Sequence, residues 1–309
     1  MDLVRCALPC LLALSLPVLA ACDDGAPEKG LAPTATALAP SKPAAASARP
    51  MAIDKASSKL EFMMEAPVEK IRGRVAGATE GQIQVDPSDL SKTTGFLAAD
   101  ISGIELYQQV QDDKTKEFGK EAKNDTQNEH ARQWLEIGPD APADAKQKNS
   151  RVEFAIRKIE GASQSDVTRM SGPSRKVTFK AVGDFLLHGR KTEKTAELEA
   201  TFNYAGDELT SVSVRTVKPF AVGLAEHDVH PRKGFGVLAE KGLDLLAPKV
   251  AKEALVSVEV MAKPGTMPAG SAASPAGSGG TAPAAASAAA SSTAGAAPAA
   301  ASTSSAAAK

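Results

Sequence analysis

Between residues 57 and 262 apolar and polar side chains alternate with a period of two, which predicts strands buried on one face. Leu60, Phe62, Met64 and Ala66 alternate with Lys59, Glu61, Met63 and Glu65. Ile71, Gly73 and Val75 alternate with Arg72 and Arg74, and Ile83 and Val85 with Gln82 and Gln84. Leu97, Ala99 and Ile101 predict a further strand, as do Val152, Phe154 and Ile156. The longest stretch carries Val177, Phe179, Ala181, Gly183, Phe185 and Leu187 on one face. It is followed by Ala196, Leu198, Ala200, Phe202 and Tyr204. Residues 188–191 form the turn between these two, and Gly206 with Asp207 the next turn. Val212, Val214 and Thr216 continue the pattern, and Val256, Val258 and Val260 close it.

Two stretches break the alternation. Residues 112–135 are charged and predict a helix over 128–135, followed by a Pro-containing loop over 138–149. Residues 236–247 have helical spacing at Leu238, Gly242, Leu245 and Leu246. Eight or nine one-faced antiparallel strands make a sandwich or a closed barrel. A barrel of about eight strands either fills its interior with side chains or encloses one small ligand. The inward positions are apolar, and Gly73, Ala99, Ala181, Gly183, Ala196 and Ala200 are small, which favours an open interior. Loops and the two helical segments filling that space is the competing expectation.

Composition changes the picture at both ends. The chain has 309 residues, but from 263 onward it is almost wholly Ala, Ser, Pro, Gly and Thr. Such a segment buries too little apolar surface to offset its ordering entropy. Residues 27–50 read similarly. The folded domain is therefore expected over 51–262, between a flexible linker (22–50) and a disordered tail (263–309). Residues 3–21 form an apolar run interrupted by Pro9 and Pro17 that ends Leu19-Ala20-Ala21-Cys22. This resembles a bacterial lipobox, with residues 1–21 as signal peptide and Cys22 as the lipidated residue. Of the three cysteines, Cys6 and Cys10 would leave with the signal, and lipidation then accounts for an odd cysteine in an exported chain. The expected location is the bacterial cell envelope, anchored through Cys22 and facing the periplasm. Asp23 hints at the inner membrane without deciding between the two.

Charge and chemistry narrow the function further. Lys plus Arg number 36 against 37 Asp plus Glu, and aromatics make up 4%, which excludes a general nucleic-acid binder. Neither a nucleophile-elbow pattern nor a phosphate-loop pattern occurs, and no catalytic residue is assigned. His227-Asp228-Val229-His230 has a metal-like spacing, but i and i+3 meet on one face only in a helix, which Pro231 opposes. No metal site or cofactor is expected there. His188 is read as a turn residue, and Glu129 and His130 as pins for a loop at the barrel mouth.

Several segments together resemble the YceI-like family. They are Ser58-Lys59-Leu60-Glu61-Phe62, Ile71-Arg72-Gly73-Arg74-Val75, and Gly81 through Pro87 (GQIQVDP). Asn128-Glu129-His130-Ala131-Arg132, Val152-Glu153-Phe154 and Gly183-Asp184-Phe185-Leu186-Leu187-His188-Gly189 follow as later landmarks. The resemblance implies an antiparallel lipocalin-like barrel that binds a polyisoprenoid or similar chain lipid and has no catalytic activity. The expected lining is Phe62, Val75, Phe179, Phe185, Leu198, Phe202, Val256 and Val258. The function expected is a carrier or sink for that lipid. The alternative is a filled barrel acting as a structural or interaction module of the envelope.

Overall fold

The computed structural model describes residues 30–39, 43–77, 79–231 and 251–265. The expected signal peptide, Cys22, the predicted 236–247 helix and the chain beyond 265 lie outside them. Elements in chain order are β1 (Arg49–Ile53), β2 (Lys59–Ala66), β3 (Glu69–Ala76), β4 (Thr79–Val85), β5 (Thr94–Asp100), β6 (Glu105–Val110) and β7 (Ala122–Lys123). Helices α1 (Asp125–Trp134) and α2 (Ala143–Asn149) follow. The chain then forms β8 (Arg151–Glu160), β9 (Ser174–Leu187), β10 (Arg190–Ala205), β11 (Glu208–Lys218), β12 (Phe220–Gly223) and β13 (Glu253–Pro264).

Antiparallel pairing makes these strands a closed barrel of eight staves. Three pairs of strands each act as one broken stave: β1 with β2, β3 with β4, and β5 with β6. β11 and β12 do the same across Pro219. The staves follow one another in chain order, and β13 closes the barrel by pairing with β11 and β12 on one side and β1 and β2 on the other. Closure removes the unpaired edges that an open sheet would present.

The first three of these staves are broken at one level. Lys59 pairs with Ala76 and Ala52 with Gln82 on either side of the first two breaks. Arg74 pairs with Glu105 and Thr79 with Ala99 on either side of the third. Each break has a local cause. Asp54 caps a 3-10 turn over Lys55–Ser57, accepting from the Ala56 N–H at 3.1 Å. Gly77 has φ +67°, and Asp100 accepts from the Ser102 N–H at 2.8 Å. The result is a crease running across one side of the barrel.

The β9–β10 hairpin turns on His188 and Gly189, both left-handed (φ 51° and 65°), as a two-residue turn matched to strand twist requires. Helix α1 starts three residues before the expected 128. Asn124 caps it by accepting from the Gln127 N–H at 3.0 Å, and Asp125 favours the first turn. Inside the loop expected over 138–149, Pro142 precedes α2, whose charges also follow the helix dipole: Asp144 in the first turn, Lys146 and Lys148 in the last.

The barrel also runs past the domain ends expected at 51 and 262. β1 starts at Arg49, and Met51 pairs with Pro264. Residues 30–39, expected as part of the flexible linker, lie along the outside of the β9–β10 turn. There the Ala32 N–H donates to the Glu226 carbonyl at 2.8 Å, the Ala35 N–H to Gly189 at 2.9 Å, and the Lys191 N–H to Pro33 at 2.8 Å. Further along, the Leu38 N–H donates to Glu153 Oε2 at 2.6 Å.

Candidate functional site: two apolar cavities inside the barrel

Two buried clusters line the interior, one toward each end of the barrel. Beneath the first, the β4–β5 and β8–β9 loops meet and close the end. The Leu90 N–H donates to the Ser165 carbonyl at 2.9 Å, and the Val167 N–H to Pro87 at 2.8 Å. Asp86 organises this floor. Its carboxylate is fully buried and accepts from Ser47 Oγ at 2.5 Å, Ser88 Oγ at 2.6 Å and the Ser88 N–H at 3.0 Å. Burial alone would push that carboxyl up, but the hydrogen bonds from Ser47 and Ser88 outweigh it and hold the group below the usual carboxylate range.

At the other end α1 sits over β6. The buried Asn128 side chain accepts from the Leu106 N–H at 2.6 Å, which fixes the helix to the strand edge. Ala131 and Trp134 face inward from α1, Leu135 from its C-cap, and Leu224 and Val229 from the turn after β12.

The clusters leave two cavities. The first, of about 110 Å³, lies among Ile83, Leu97, Phe154, Phe179, Leu198 and Phe202. The second, of about 100 Å³, lies among Phe62, Ile104, Leu106, Trp134, Val222 and Ala254. At ~10–15 Å³ per water-sized sphere, each has room for several such groups. Leu60, Val152, Phe185 and Val256 belong to both walls and form a waist between them. Phe185 stands edge-on to Phe220 (centroids 6.1 Å apart, planes at 80°) and to His227 (5.5 Å, 87°).

The expected lining residues are distributed as follows. Phe179, Leu198, Phe202 and Val258 stand on the first wall, Phe62 on the second, and Phe185 and Val256 on both. Val75 is buried in the second cluster and reaches neither wall. Of the small residues, Ala99, Ala196 and Ala200 border the first cavity. The glycines do not open space as expected. A Cβ on Gly73 would lie 2.0 Å from the Phe62 ring, and one on Gly183 would lie 2.4 Å from the Ala155 carbonyl oxygen and 2.8 Å from Phe154. Those gaps are already occupied. Residues that the sequence pattern did not single out for the site include Leu60, Trp134, Leu224 and Thr79, the last a polar residue on an inward position.

The histidines are held within the frame. His227 is fully buried, with Nδ1–H donating to the carbonyls of Leu187 (3.2 Å) and Arg190 (3.1 Å), and Nε2 accepting from the Thr192 hydroxyl (3.2 Å). Burial pushes its pKa below the ordinary imidazole value. Next to it Glu226 pairs with Lys194. Burial would raise the Glu226 carboxyl, but the hydrogen bond and charge of Lys194, with the Gly223 N–H, together outweigh it and hold the group low. His188 Nδ1–H donates to the His227 carbonyl at 3.1 Å, and Nε2 lies 3.2 Å from Glu136 Oε2. His230 is exposed and lies 2.9 Å from Asp228 Oδ1, so it does not converge with His227. Among the described residues no three His, Cys, Asp or Glu side chains converge on a point that would hold a metal ion. Glu129 faces a surface depression on the outer side of α1 rather than the cavity.

No family model and no curated protein matches the chain. Solved structures are similar to it, two of them as follows. One is a polyisoprenoid-binding domain from Saccharophagus degradans implicated in plant cell wall breakdown, with 13% identity over 70% of this chain and 98% of that one, TM-score 0.44. The other is BcnA of Burkholderia cenocepacia, with 12% identity over 68% of this chain and 98% of that one, TM-score 0.40.

Proposed function

We propose that this protein is a YceI-like barrel that holds an apolar chain lipid, isoprenoid-like in shape, along its axis. The observation that carries this reading is the pair of apolar cavities that share one waist. An elongated, branched hydrocarbon suits two small chambers in line better than one compact ligand does. Burial of the chain supplies ~25 cal/mol per Å² of apolar surface, set against the entropy of fixing its rotors. The role is equilibrium carriage or sequestration, without a chemical step. Lipidation at Cys22 would keep the barrel near the bilayer from which the ligand partitions, within the bacterial envelope.

The test is uptake of the neutral apolar dye N-phenyl-1-naphthylamine by the wild type and by Ala200→Phe, which projects a ring into the first cavity from β10. Ala196→Leu is a milder filling of the same space. Dye binding should fall sharply in both variants while the far-ultraviolet circular dichroism stays that of a β-barrel. Undiminished binding in a folded variant places the dye elsewhere and removes the basis of the proposal. Ala181 is fully buried but borders neither cavity, so substitution there is no test of filling.

A further inference from the structure

The wall of the first cavity contains four polar residues, Lys59, Thr79, Thr93 and Glu153. Three are engaged. Lys59 Nζ pairs with Glu259 Oε2 at 2.8 Å. The Thr93 hydroxyl accepts from the Asp86 N–H at 3.1 Å. Glu153 accepts from Arg151 Nε and from the Leu38 N–H, each at 2.6 Å. The fourth is different. Thr79 is only 4% exposed, and its Oγ1 is buried without a hydrogen-bond partner among the described residues.

Position makes this hydroxyl informative. Thr79 opens β4 at the crease, and burial alternates along that strand from Thr79 through Gly81 and Ile83 to Val85, which puts it on the inward face. It pairs with Ala99, which pairs in turn with Val152 of the waist. The hydroxyl therefore sits in the upper wall of the first cavity, level with the passage to the second. A buried hydroxyl left unmade is unfavourable, and a threonine can both donate and accept one hydrogen bond. No uncompensated charge accompanies it on this wall, so nothing there would balance a phosphate or a carboxylate.

We infer that Thr79 is a polar anchor for the ligand, and that the ligand is a chain lipid carrying a neutral oxygen, a hydroxyl or a carbonyl, at the depth of the waist. The inference rests on the lipid-binding reading above and adds the ligand's polar chemistry to it. A plain hydrocarbon leaves Thr79 unsatisfied. An anionic head group at that depth is buried without a counter-charge.

The experiment measures displacement of N-phenyl-1-naphthylamine by three probes of one carbon skeleton: farnesol, farnesene and farnesyl phosphate. The readout is the ratio of farnesol to farnesene affinity in the wild type, Thr79→Val and Thr79→Ser, each checked for folding by circular dichroism. Thr79→Val keeps the side-chain shape without the hydroxyl, and the ratio should drop by several-fold to roughly tenfold. Thr79→Ser retains the hydroxyl and should keep the wild-type ratio. Farnesyl phosphate should bind more weakly than farnesol. A ratio unchanged in folded Thr79→Val, or tightest binding by farnesyl phosphate, overturns the anchor while leaving lipid binding intact. Failure of the dye and all three probes to bind overturns the lipid-binding reading, and the anchor with it.

Discussion

Phe185 and His227 meet edge to face at the waist of the barrel, their ring centroids 5.5 Å apart and their planes at 87°. The histidine is held by the backbone of its neighbours, through the carbonyls of Leu187 and Arg190, so it fixes where the phenyl ring stands. The ring in turn divides the interior into two chambers. Phe185→Leu should join them at a cost of roughly 1–3 kcal/mol, below the ~3–5 kcal/mol of a full Phe→Ala truncation. In a series of linear alcohols, the longest one able to displace N-phenyl-1-naphthylamine should then be longer than for the wild type. An unchanged length limit shows that Phe185 does not set it.

His227 makes the fold sensitive to mild acid. Its folded pKa is pushed down by burial from the ordinary imidazole value of about 6.5, so the unfolded chain takes up a proton that the folded chain refuses. Stability should therefore be complete above about pH 6.5 and decline as the pH falls below it. The Glu226 and Asp86 carboxyls are held low and contribute only further into acid, as each is protonated below its ordinary range. Urea unfolding at pH 7.5 and pH 5.5 should show a loss in the wild type that is smaller in His227→Gln. Equal losses in the two proteins remove His227 as the cause.

Phe62 covers Gly73, its direct partner across the β2–β3 ladder. A Cβ at 73 has no room, being 2.0 Å from the ring, so Gly73→Ala should destabilise the barrel by about 1–3 kcal/mol. Combined with Phe62→Leu, the cost should be clearly less than the sum of the single changes. Additive costs in that cycle mean the two residues do not share the space.

Glu153 is 1% exposed on β8, where Arg151 and the Leu38 N–H satisfy it. A chain lacking residues 30–39 loses that N–H together with the main-chain bonds to Glu226, Gly189 and Lys191. Its denaturant midpoint should be lower, and Glu153→Gln should lose less in the shortened chain than in the intact one. A midpoint unaffected by the deletion shows that the docked segment contributes nothing to the fold.

Much of the barrel is legible in the alternation of β9 and β10, because burial alternates residue by residue from Val177 to Ala181 and from Ala196 to Tyr204. β6 is not, since only Leu106 is buried in a strand that extends past β8 and pairs instead with β3 and the short β7. The docking of residues 30–39 is also invisible in composition, because main-chain groups supply most of its hydrogen bonds and any sequence can offer those. Most of the lining was within reach of the period-two pattern, whereas cavity shape was not. Volume depends on which neighbour fills each small position, and Phe62 and Phe154 fill Gly73 and Gly183 while Ala196 and Ala200 stay open. Thr79 is not legible, because an inward polar residue looks no different in sequence from an outward one beside a turn.

Whether a chain lipid occupies the interior is decided by native mass spectrometry of the protein produced in a bacterial periplasm and purified without detergent. A discrete adduct with the mass of an isoprenoid or acyl-chain lipid, lost in Ala200→Phe, is the expected result. A bare protein mass that stays bare after incubation with excess farnesol would contradict it.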